Sequence, residues 1–98
     1  MRKYYSDYVR HCARYYFSKD LVPKPLEERV NYNNYISVAN VLDRYSVEVF
    51  NMLKFIYTSE MIPRAVEKYA SETGFKTEEI WYNIQRFERD VAVERGLL

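Results

Sequence analysis

Glycine occurs at only two positions in this chain, 74 and 96, and proline at three, 23, 25 and 63. So little punctuation, with few runs that alternate apolar and polar residues, predicts an all-α chain. The 98 residues suit a single domain around one core. Hydrophobic residues at 48% and charged residues at 30% give a globular balance rather than a disordered one.

About five helices follow from the apolar spacing. The first runs from about Lys3 to Phe17, with Tyr5, Tyr8, Cys12 and Tyr16, and Val9 beside them, as its buried stripe. Lys3, Arg10 and Arg14 share another face, which reads as a solvated surface, with a phosphate contact alongside the fifth helix as the alternative. The prolines of "SKDLVPKP" end this helix. A second helical region covers roughly 26–45. Its firmer part is "NYISVANVLDRY", with Asn34 as a cap and Ile36, Ala39, Leu42 and Tyr45 facing inward. "EERVNYN" fits either a short helix or a bend.

Ser46 caps a third helix over Val47–Thr58, whose apolar face is Phe50, Leu53 and Tyr57 flanked by Val49 and Ile56. Pro63 suits the first turn of a fourth helix, where its missing N–H costs little. Val66, Tyr69 and Ala70 form the inner stripe of that helix, and Gly74 fits the left-handed position after it. Thr77 caps a fifth helix, Glu78 and Glu79 suit its dipole, and Ile80, Ile84, Phe87 and Val91 form its inner face. Gly96 is the expected stop.

Several function classes find no residues here. Cys12 is the only cysteine, so the chain cannot form an internal disulfide. His11 and Cys12 are neighbours on a helix, about 100° apart, and do not converge on a metal or act as base and nucleophile. Glu27/Glu28 and Glu78/Glu79 are adjacent rather than convergent, and there is no glycine-rich phosphate loop. The expectation is a non-enzyme without metal, cofactor or small-molecule substrate. The opening "MRKYYSDYVRHCARYYF" is too polar for a signal peptide, and no apolar run is long enough to span a bilayer. A soluble, reduced, cytoplasmic protein is expected. The eleven tyrosines suit the margin of a small core better than a stacking surface.

One constellation points to a function. In "YASETGFKTEEIWYNIQRFER", Ala70 is small where two helices touch, Gly74 permits the turn and Ile80 anchors the second helix. Residues 46–96 then form a tri-helical unit containing a helix-turn-helix, within a single domain over 1–98. The exposed early residues of its last helix are Lys76, Thr77, Glu79, Trp81, Tyr82 and Gln85, with Arg86 and Arg89 further along. Gln85 suits an adenine edge, Lys76 and Arg86 suit phosphate or guanine, and Arg89 suits phosphate.

The order of elements in "YSVEVFNMLKFIYTSEMIPRAVEKYASETGFKTEEIWYNIQRF" resembles the DNA-binding fourth region of sigma-70-type factors. It is also similar to small phage-type and mobile-element regulators of Firmicutes. The resemblance covers about residues 45–96. It implies transcription regulation by promoter or operator binding, with double-stranded DNA as partner and RNA polymerase or another protein beside it. Lys76, Thr77, Tyr82, Gln85, Arg86 and Arg89 would carry the contact, and Ala70, Gly74 and Ile80 the turn.

The chain departs from that family's pattern at Thr73, in the "TSEMIP" linker, at Trp81 and at Glu78 and Glu79, which place negative charge where phosphate would approach. Residues 59–98 carry six basic against eight acidic side chains, while residues 1–24 carry six basic against two acidic. A non-enzymatic, helical protein-interaction module is the competing expectation. Exposed apolar surface would favour that module, and a positive stripe over the fifth helix would favour DNA.

Overall fold

The computed structural model describes residues 3–18 and 22–98, and these form five helices with no strand among them. The helices are α1 (Ser6–Ser18), α2 (Arg29–Leu42), α3 (Val47–Tyr57), α4 (Ile62–Thr73) and α5 (Thr77–Glu94). The expected break after the first helix includes residues 19–21, which lie outside the described residues.

Local chemistry sets most of the helix ends. The Ser46 hydroxyl accepts the Val49 N–H at 3.2 Å and starts α3. Pro63 sits in the first turn of α4. Gly74 adopts φ 84° and its N–H closes on the Ala70 carbonyl at 3.0 Å, which ends α4. At the end of α5, Gly96 donates to Val93 at 3.0 Å and Leu97 to Ala92 at 2.7 Å, the paired closure that a left-handed glycine allows.

α5 packs against all four other helices. Its inner face, Ile80, Ile84, Phe87 and Val91, is fully buried as the spacing predicts. Val9 and Cys12 of α1, Val38 and Val41 of α2, Leu53, Ile56 and Tyr57 of α3 and Val66 of α4 close around it. Six of the eleven tyrosines are half-buried, the margin position expected of them.

The structure corrects four sequence expectations. Asn34 is not a cap. α2 begins five residues earlier, after a turn in which Glu28 N–H donates to the Lys24 carbonyl at 2.9 Å. Asn34 is instead buried within α2 and accepts the Tyr8 hydroxyl at 2.9 Å, which satisfies its amide oxygen between two helices. Tyr8 is correspondingly 39% exposed, and Ala13 takes its expected place in the α1 core.

The buried face of α2 is Asn34, Ser37, Val38, Val41 and Leu42, while Ile36 and Ala39 are half-buried. Because α2 packs on both α1 and α5, its contact face is turned by about one residue from the most apolar stripe. Finally, Thr77 is the first helical residue of α5 rather than its cap. Lys76 takes the flanking position, and its backbone N–H donates to the Glu79 carboxylate at 3.3 Å.

Candidate nucleic-acid interface

The connection between α4 and α5 is three residues long, Gly74, Phe75 and Lys76. Ala70 and Phe75 are half-buried and Ile80 is fully buried. The Phe75 ring stacks on Tyr69 with centroids 6.1 Å apart, and Tyr69 packs on Phe55 of α3 at 5.1 Å. These ring contacts tie the connection to α3.

The outer face of α5 is a stripe of Glu78, Tyr82, Gln85 and Arg89, all exposed. Lys76 is exposed at its start and Thr77 half-buried. Glu79 is spent on the helix end, which gives one of the two unfavourable glutamates a structural reason. Arg86 is half-buried beside the stripe, between the rings of Tyr45 and Tyr82. Its guanidinium lies 4.4 Å over the Tyr45 ring and donates to the Asn83 side chain at 3.1 Å. Tyr45 in turn donates its hydroxyl to Asp90 at 2.5 Å. Burial, then that bond to a carboxylate, raise the Tyr45 pKa well above its ordinary value.

Beside the stripe runs a groove of about 930 Å³ between the start of α1, the start of α4 and the middle of α5. Its walls bring together Lys3, Arg10, Trp81, Tyr82, Gln85, Arg86 and Arg89. Trp81 is half-buried and packs on the core, so it shapes the wall. Among the described residues Glu88 is the one carboxylate lining the groove, and it is already neutralised. Its Oε2 accepts Arg10 Nε at 2.8 Å and the Tyr57 hydroxyl at 2.7 Å. Burial, followed by the nearby Glu88 charge, holds the Tyr57 pKa well above its ordinary value.

The basic face expected on the first helix divides. Lys3 and Arg10 line the groove, whereas Arg14 donates to the Ser59 carbonyl in the connection between α3 and α4. Other acidic residues of the C-terminal half are engaged elsewhere: Asp90 by Tyr45, and Glu94 by Arg44 at 3.6 Å and Asn40 at 3.3 Å. Among the described residues Glu88 alone of these acids lines the groove, while Glu78 stands exposed on the stripe beside it.

Sequence reasoning missed Glu88. The available signal was its register, four residues after Ile84 and three before Val91, which sets it on the apolar face of α5. His11 is exposed and Cys12 is fully buried, and burial pushes the Cys12 thiol up to about 11. No group of three or more His, Cys, Asp or Glu side chains is placed to hold a metal among the described residues. Among them, too, no helix is long and apolar enough to cross a membrane. Compared with protein-family models, curated proteins and solved structures, the chain matches none of them.

Proposed function

We propose that this chain is a non-enzymatic, cytoplasmic reader of duplex DNA in which α4 and α5 act as a helix-turn-helix. An α-helix with its side chains is about 10–12 Å across, and the major groove is about 12 Å wide. Laid there, the outer stripe of α5 faces base edges. Gln85 offers the paired donor and acceptor that adenine requires, while Tyr82 and Thr77 supply apolar and hydroxyl contacts. Lys76, Arg89 and the Tyr45-stacked Arg86 address phosphates.

The observation that carries this reading is the charge of the groove beside the stripe. Among the described residues, Lys3, Arg86 and Arg89 meet no carboxylate there except Glu88, which Arg10 already neutralises. A regulator of this size gains specificity as a dimer or in a larger assembly such as a polymerase complex.

The test is an amide NMR titration with a mixed-sequence duplex at low and then moderate salt. Shifts over residues 76–89 that weaken with salt are expected. Silence at high protein concentration sinks the reading and turns attention to a protein-interaction role. The surface for that role would be the segment 22–30, where Val22, Leu26 and Val30 stand 55%, 89% and 63% exposed.

A further inference from the structure

We infer that Lys3, at the entrance to α1, makes a phosphate contact of its own, so that the duplex is gripped from two walls of the groove rather than by α5 alone. The inference rests on the duplex-DNA reading above and adds a residue remote in sequence from the turn. Among the described residues two cationic side chains line the α1 wall, Lys3 and Arg10, and Arg10 is pinned on Glu88 at 2.8 Å. Lys3 is exposed, and its ammonium has no carboxylate partner among the described residues.

Its backbone is nonetheless anchored. The Lys3 carbonyl accepts the Ser6 N–H at 3.1 Å, the Tyr4 hydroxyl donates to the Leu97 carbonyl at 2.5 Å, and Tyr5 is buried in the core. These contacts fix the base of the lysine at the groove that Arg89 also lines, while its flexible stem lets the ammonium follow a phosphate as a point charge. A phosphate contact of this kind positions the duplex and carries no sequence information.

The experiment measures duplex affinity against salt for the full chain and for Lys3→Ala, Lys3→Arg, Gln85→Ala and Lys54→Ala. Lys54 is exposed on α3 and lies outside the groove, so its variant changes net charge equally. Loss of one phosphate contact lowers the slope of log affinity against log salt by about 0.9, so the affinity ratio between about 50 and about 200 mM salt falls about 3.5-fold. Lys3→Ala is expected to show that fall equally on every duplex, Lys3→Arg to restore the slope, and Lys54→Ala to leave it unchanged. Gln85→Ala is expected to change sequence preference at constant slope.

If the wild type binds with a steep slope and Lys3→Ala keeps it, or matches Lys54→Ala, the inference is overturned while the DNA reading stands. If the wild type binds no duplex even at low salt, both fall.

Discussion

Glu88 joins three helices through one carboxylate, and its removal is the most informative perturbation of the fold. The residue is 4% exposed and accepts from Tyr57 of α3 at 2.7 Å and Arg10 of α1 at 2.8 Å. Glu88→Gln keeps its shape and removes its charge. Breaking a buried ion pair from one side costs about 3–5 kcal/mol, because the remaining charge is left without compensation. The Arg10 side chain retains 21% of its exposure, so water recovers part of its solvation. The lower end, about 3 kcal/mol, is therefore expected.

That is a large part of the roughly 5–15 kcal/mol that stabilises a domain, and on this size of chain it lowers Tm by about 12–24 °C. Tyr57→Phe removes one hydrogen bond to a charged acceptor and leaves Arg10 in place, at a cost of about 1.5–2 kcal/mol. The two changes share a contact, so the double variant should lose about 1–2 kcal/mol less than the sum of the single losses. Urea unfolding of all four proteins gives the cycle. A Glu88→Gln loss below about 1 kcal/mol, or strict additivity, would refute the reasoning, since either means that the carboxylate is solvated.

Three further outcomes are expected. Gly74→Ala should cost about 1–2 kcal/mol in urea unfolding, because a Cβ at φ 84° is strained although no atom lies within 4 Å of it; an unchanged midpoint would mean that the turn relaxes. Ser46→Ala should cost about 1 kcal/mol by loss of the bond to Val49, measured the same way, and a cost near zero would show the cap to be replaced by water. Burial raises the Cys12 thiol from 9.0 to about 11, so the folded chain holds a proton that the unfolded chain releases. That contribution is complete below pH 9 and is lost as pH rises toward 11. Cys12→Ala should accordingly flatten the fall of stability across that window, and an equal slope in both proteins would argue against a buried thiol.

The elements whose ends depend on one residue's backbone chemistry were legible in the sequence. Ser46, Pro63, Gly74 and Gly96 each fix a helix end where expected, and Ile80, Ile84, Phe87 and Val91 needed only their period. Asn34 was misread because a cap and a buried amide use the same side chain, and only Tyr8, 26 residues away, decides between them. The rotated face of α2 depends on its two neighbours, which local hydropathy does not contain.

The candidate site divides in the same way. The stripe of α5 follows from helical spacing, and Lys3 and Arg10 were visible as one basic face. That this face meets α5 across a groove, that Arg14 leaves it for Ser59, and that Arg10 is neutralised by Glu88, 78 positions later, are consequences of tertiary packing.

The packing of α5 against each of the other four helices also bears on how the chain acquires its structure at the ribosome. Synthesis proceeds from the N-terminus at about 5–20 residues per second, so α1 to α4 emerge before the helix that fills the space between them. Until α5 clears the exit tunnel, Val9, Val38, Leu53 and Val66 lack the surface that dries them. A nascent chain halted before Thr77 should be captured by chaperones and cut readily by protease, and release of the remaining segment should convert it to the resistant state in one cooperative step.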